Sequence, residues 1–227
     1  MLRRGFMLGV HYQIRIAGEG DNWLRLELVD VPLSMGNAIR RFIINEVPTM
    51  AVEEVLVIEN TSHLTNEVLT HRISLIPFTT DLDNYVLPEK CDCGSKLGCE
   101  RCSVRFSLRA SATKEVLTVY SADLVRESGS ERVAPMSGDF QIVKLAPGQS
   151  VELELYVRLG KGKKHAKWQS GIATLYEEDG KRILYVESFG HLPPRRMLLE
   201  AVKLFEESVT ELGGSLEKVV KDERGAG

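Results

Sequence analysis

Four cysteines, Cys91, Cys93, Cys99 and Cys102, fall within one twelve-residue stretch and form two close pairs joined by a loop that contains Gly94 and Gly98. Four thiolates so grouped suit a zinc ion, which takes such ligands tetrahedrally at about 2.3 Å, and the glycines permit the turns that wrap both pairs around one centre. With all four positions filled by protein, no site is open for substrate, so the expected zinc is structural. The same thiolates could serve an iron–sulfur cluster, but the run lacks the cysteine series followed by proline found in ferredoxins, and zinc is preferred. Clustering of this kind, in place of scattered pairs, also implies a reducing compartment.

Other groups say less about chemistry. Asp81 and Asp83 resemble half of a magnesium site, yet no further carboxylates or phosphate clamp accompany them, and Pro77, Thr79, Asn84 and Pro88 describe a polar loop. The segment Gly160 to Trp168 (GKGKKHAKW) concentrates positive charge beside an aromatic ring without the spacing of a phosphate loop. Lys163, Lys164, His165, Lys167 and Trp168 are therefore read as a contact surface for a protein partner, single-stranded nucleic acid needing more aromatic platforms. His11, His63, His71, His165 and His191 show no metalloprotease spacing, and no serine occupies a nucleophile elbow. His71 and His191 are expected to be turn or cap residues. No active site is visible.

The elements that must position these residues follow from hydrophobic period. Tyr12, Ile14 and Ile16, then Leu24, Leu26 and Leu28, alternate around a glycine-rich turn and predict a hairpin. Ser34 is placed to cap a helix with the stripe Met35, Ala38, Ile39, Phe42, Ile43 and Val47, stopped by Pro48, with Gly36 and Ala38 allowing another helix to approach. Arg40 and Arg41 lie on its opposite side. Strand-like runs follow at Val52 to Ile58, Val104 to Leu108, Val116 to Tyr120 and Val151 to Val157, so the middle of the chain reads as mostly β. A second hairpin turns at Asp179 and Gly180 and leads through Pro193 and Pro194 into a long helix. Its residues Leu198, Val202, Phe205, Val209, Leu212 and Leu216 step by four and three, a seam that calls for another helix to cover it. The tail from Lys221 is expected to fray.

The 227 residues are enough for one large domain or two small ones with a sizeable core. With 29 Lys and Arg against 32 Asp and Glu, the net charge of −3 supplies no overall positive field for a phosphate backbone. No apolar run approaches the ~18 residues of a membrane span. The stretch Arg3 to Leu8 stops short of a signal peptide, its apolar part being interrupted by His11, Gln13 and Arg15, and a cytoplasmic location is expected.

Several of these segments together resemble one family. Val31 to Ala51 (VPLSMGNAIRRFIINEVPTMA) is similar to the first helix and flanks of the D-subunit family of archaeal RNA polymerases. So are Asn60, Thr61 and Ser62 with His71 to Pro77, the cysteine loop, Gly160 to Trp168, and Glu187 to Arg196 with its two prolines. More loosely the chain is similar to the third-largest subunit of eukaryotic polymerase II and to the N-terminal domain of bacterial alpha. The resemblance implies an α+β fold. Residues 1–50 and 171–227 would form a discontinuous dimerisation domain of antiparallel sheet plus two helices, and residues 51–170 an inserted, mainly β domain bearing the zinc loop 91–102. It implies a non-catalytic assembly subunit that pairs with a small L subunit, and the two helical stripes place the expected partner surface at Met35, Ile39, Arg40, Arg41, Phe42, Leu198, Val202, Phe205, Val209 and Leu212. Subunits N and P and the second-largest catalytic subunit then join, Arg40 and Arg41 matching a basic pair associated with large-subunit binding. DNA is reached only through the whole complex. Many archaeal members carry a ferredoxin-like domain after the segment matching His165 to Trp168; here the chain passes directly into the Ile172 hairpin, so neither that domain nor an iron–sulfur cluster is expected. The alternatives are a free zinc-containing nucleic-acid-binding regulator and a hydrolase built on His and Cys.

Overall fold

The computed structural model describes residues 12–225; the stretch Arg3 to Leu8, His11, and the last two residues lie outside it. In chain order the elements are β1 (Gln13–Glu19), β2 (Trp23–Val29), α1 (Leu33–Asn45), β3 (Pro48–Asn60), α2 (Asn66–Ser74), β4 (Val104–Ser111), β5 (Leu117–Tyr120), β6 (Val125–Ser128), β7 (Gln141–Leu145), β8 (Ser150–Lys161), β9 (Gly171–Glu178), β10 (Lys181–Ser188) and α3 (Pro194–Gly225). One antiparallel sheet has the order β1-β2-β10-β9 and a second β3-β8-β4-β6, with β5 and β7 forming a small ribbon.

Strands from both ends of the chain build the first sheet. Its hairpin β9–β10 turns where expected, with Asp179 at φ 51° and Gly180 at φ 73°, the two left-handed residues of a type I′ turn. Leu24, Leu26, Leu28, Ala173, Leu184 and Val186 form one cluster with Ile39 and Ile43 of α1 and Met197 and Ala201 of α3. Ser34 does not cap α1: Pro32 holds the cap position with no side-chain bond, and Ser34 lies in the first turn. Nor does Gly36 serve a helix. A Cβ there would stand 3.1 Å from Leu175 and 3.3 Å from Leu28, so the glycine lets α1 press onto the sheet.

The apolar face of that sheet runs past its helices. Ile14 pairs with Leu28 and Ile16 with Leu26, so they share the inner face, yet they are 54% and 51% exposed, α3 meeting β1 through the Arg195–Glu19 ion pair at the far end of the strand. Helix α3 likewise leaves the body. Met197 and Ala201 are buried and Phe205 meets Phe42 edge-on at 5.4 Å, whereas every residue from Glu206 to Val220 is exposed, a projection of about 22 Å at 1.5 Å per residue. The tail expected to fray continues the helix to Gly225. Gly213 and Gly214 sit in the projection, where an added methyl group would meet no atom within 4 Å. Replacing both by Ala is therefore expected to raise helical stability by about 1 kcal/mol per site, read as increased helical circular dichroism in the isolated chain.

The second sheet packs β3, β4 and β8 around Phe78, Phe106, Leu153 and Leu155, with Leu69 and Ile73 of α2 closing the cluster. Sequence period did not reveal α2, whose buried stripe is only those two residues and whose start is capped by Thr65. Leu82 packs against both clusters, and polar bonds tie them. Thr49 Oγ1 donates to the Trp168 carbonyl at 2.9 Å, and Ser170 Oγ to that of Ile43 at 2.7 Å.

His191 belongs to the same junction. Its Nδ1 lies 2.8 Å from the Phe78 carbonyl, which can only accept, so Nδ1 carries the proton, and the Thr80 amide donates to the His191 carbonyl at 2.9 Å. Burial holds its pKa below the ordinary 6.5, although the Phe78 carbonyl pulls the other way. The unfolded chain therefore binds the extra proton more readily. Stability is expected to be fully present above pH ~6.5 and to decline as pH falls below it; His191→Gln, which cannot titrate, is expected to flatten that decline in urea midpoints compared between pH 7.5 and 5.5.

Candidate metal centre and interaction faces

The cysteines lie in an irregular loop between a one-turn helix at Pro88–Lys90 and β4. Sγ–Sγ distances are 3.7 Å for Cys91–Cys99, 3.9 Å for Cys93–Cys102 and 3.8 Å for Cys99–Cys102, and all four sulfurs lie within 4.8 Å of one another. A tetrahedron with arms of about 2.3 Å has edges of about 3.8 Å, while a disulfide would bring two sulfurs to about 2.05 Å. The donor set therefore fits a zinc-sized ion. Gly94 at φ 62° and Gly98 at φ 83° make the turns. A Cβ on Gly98 would stand 2.7 Å from that of Ser103 and 3.1 Å from Cys102 Sγ.

Backbone amides favour the thiolate form on one side of the cluster. A hydrogen bond donated by the Arg101 backbone N–H leads the causes that bring Cys99 down to about 7, and burial pushes Cys102 up to about 12. The Cys99 amide donates to Cys102 Sγ at 3.3 Å. The Val86 amide on the Arg101 carbonyl at 3.0 Å anchors the loop, and an exposed Arg101–Asp92 ion pair joins its two halves. Its pattern of exposure runs from buried Cys102 to exposed Cys93.

The basic segment is less of a surface than its composition suggests. Trp168 is 2% exposed and lies flat on Gly160, where a Cβ would come within 2.3 Å of the ring; its Nε1 donates to the Arg158 carbonyl at 3.1 Å. Lys164 and Lys167 stand 5.0 and 4.3 Å from its ring centre. Lys161 and Lys163 both reach Glu46 at 2.9 Å, and the Lys163 amide bonds the Asn45 carbonyl. The segment thus works as a clamp between α1 and the second sheet, leaving Lys163, Lys164 and His165 exposed. Asp81 and Asp83 behave as a polar loop: Asp81 accepts from the amides of Asp83 and Asn84 and from Ser130 Oγ, and Asp83 pairs with Arg196 at 2.8 Å.

On the helices, Ile39 is enclosed in the chain's own core, and Met35, Arg40, Phe42, Leu198 and Phe205 are half-buried. Arg41, Val202, Val209 and Leu212 are exposed. Sequence reasoning missed Arg158, a charge at a polar phase of β8 that alternation assigns to solvent. No sequence signal shows that the cysteine loop covers it.

Residues 55–176, from within β3 to within β9, match the family described as the RNA polymerase Rpb3/RpoA insert domain. The chain belongs to the Rpb3/RpoA family of RNA polymerase subunits. Within the family its relatives are archaeal D-type, or Rpo3, proteins. It is 47% identical over 143 residues to the DNA-directed RNA polymerase subunit Rpo3 of Pyrobaculum neutrophilum, covering 63% of this chain and 53% of the relative. With Rpo3 of Methanosphaera stadtmanae the identity is 39% over 170 residues, 71% and 62% of the two chains, and with that of Methanosarcina acetivorans 37% over 166 residues, 73% and 60%. The matches thus span a little over half of these relatives' length. Among the described residues, no helix is long and apolar enough to cross a membrane.

Proposed function

We propose that the chain is a non-catalytic assembly subunit of a DNA-dependent RNA polymerase, forming a heterodimer with a small L-type subunit on which subunits N and P and the second-largest catalytic subunit assemble. The observation that carries this reading is the uncovered apolar surface. Ile14 and Ile16 on β1 and Val202, Val209, Leu212 and Leu216 on α3 are all at least 40% exposed, the last four at the four-and-three spacing of a seam that another helix covers. Small residues flank the projecting seam at Ser208, Gly213 and Ser215, so another helix can come close. Residues 1–50 and 171–227 act here as the dimerisation domain and 51–170 as the insert, with Arg41, Lys163, Lys164 and His165 open for larger subunits.

In this reading the cysteine loop holds a structural zinc, supported by the sulfur spacing. The chain works in the cytoplasm and reaches DNA only through the complex, in keeping with its net charge of −3. Co-expression with the small subunit tests it. A stable 1:1 complex, set against a chain that self-associates when expressed alone, is the expected outcome; a well-behaved monomer indifferent to the small subunit contradicts it. A free regulator would instead bind DNA specifically with a steep salt slope.

A further inference from the structure

Arg158 faces outward from β8, yet it is 6% exposed because the cysteine loop lies over it. One guanidinium nitrogen donates to the Lys96 carbonyl in the middle of that loop, and another stands 3.6 Å from Glu53 Oε2 on β3. Gly98 rests against its Nε, where an added Cβ would come within 3.2 Å. Glu53 in turn accepts from Lys164 Nζ at 2.8 Å, Lys164 lies over the ring of Trp168, and the Trp168 indole N–H returns to the carbonyl of Arg158. The contacts form a closed circuit from the cysteine loop, through a buried cation, to the basic segment.

We propose that Arg158 is a positioning residue that couples the metal loop to the 160–168 segment, so that metal occupancy sets the placement of Lys164 and Trp168. The proposal rests on the reading of the four cysteines as metal ligands. The loop has no regular secondary structure of its own, and its shape comes from the ion that gathers the thiolates. With the ion bound, the Lys96 carbonyl stays where the guanidinium needs an acceptor in a place closed to water. When the loop opens, that carbonyl and the cover leave together, and the guanidinium keeps Glu53 as its remaining ion-pair partner. The nearest carboxylate is Glu53, already engaged with Lys164. Drawing Glu53 onto Arg158 frees Lys164 from Glu53 and loosens it over Trp168. Linkage makes the coupling reciprocal, so a weakened Arg158 lowers metal affinity.

The full chain carries two tryptophans, and Trp23→Phe leaves Trp168 as the reporter. Chelating zinc from the loaded Trp23→Phe chain is expected to shift and weaken Trp168 emission and to raise acylation of Lys164. Arg158→Lys keeps the charge but cannot span both acceptors. It is expected to bind zinc about tenfold more weakly and to show a smaller gain in Tm on zinc loading. Glu53→Gln is expected to bind zinc yet lose the Trp168 response. Arg109→Lys, an exposed position on β4 paired with Glu152, is expected to match the wild type. If Trp168 is silent to chelation and Arg158→Lys binds zinc like the wild type, or lowers Tm equally with and without zinc, the coupling is wrong while the metal reading stands. If the chain takes up no metal ion, the metal reading falls and the coupling with it.

Discussion

Leu212→Asp is expected to abolish co-purification with the small partner subunit while leaving the chain folded. The residue is 60% exposed in the single chain, so a carboxylate there touches nothing internal and costs the monomer little. In a heterodimer the same carboxylate is forced into an apolar seam without a counter-charge, and central apolar anchors of interfaces contribute about 2 kcal/mol or more each. That corresponds to roughly a thirtyfold loss of affinity before the penalty of the buried charge is added. Phe205 is the less discriminating choice. Its ring packs against Phe42 within the chain, so Phe205→Asp damages the α1–α3 contact as well as the seam. Lys203→Asp, exposed beside the seam, is expected to weaken assembly little. Analytical gel filtration of each co-expressed pair, with circular dichroism of each variant alone, separates lost assembly from lost folding.

Cys99→Ser is expected to release the zinc and open the loop from Cys91 to Cys102 to protease while both sheets persist. Cys99 is in contact with two other sulfurs, Cys91 at 3.7 Å and Cys102 at 3.8 Å, and a serine hydroxyl is not ionised at neutral pH to replace a thiolate. Structural zinc contributes on the order of 10 kcal/mol to the folding of such a site, far more than the loop's few anchoring bonds can replace. The strands continue because their pairing is independent of the loop: β4 begins only at Val104 and is held along its length by β8. Elemental analysis for zinc together with limited proteolysis checks both halves of the expectation. Retained metal, or cleavage spread over the whole chain, counts against it.

Where the sequence was legible, one local signal and one tertiary requirement agreed. Asp179 and Gly180 supply the positive φ of a tight hairpin, and the flanking alternation already specified which face is buried. The cysteine loop was legible for a similar reason, since ligand spacing and turn glycines point to one geometry. Sequence reasoning failed where burial came from a distant segment. Trp168 reads as an exposed aromatic in a basic run, and only the absence of a side chain at Gly160 makes the slot that encloses it. Arg158 stands in the polar phase of a strand, and the loop covering it lies some sixty residues away. Helix α2 offers two buried residues in nine, too short a stripe for periodicity to register. Ile14 and Ile16 alternate like core residues but wait uncovered at a sheet edge. In the proposed heterodimer, this edge is where the partner would complete the cover.

The most direct test of the assembly role is capture of the tagged full-length chain from the cells that express it, followed by native mass spectrometry of what accompanies it. One copy of the chain together with one small subunit and the two largest polymerase subunits, in an eluate that extends RNA on a DNA template, is the expected result. A chain recovered alone or with proteins unrelated to transcription, beside an active polymerase that lacks it, would contradict the assembly role.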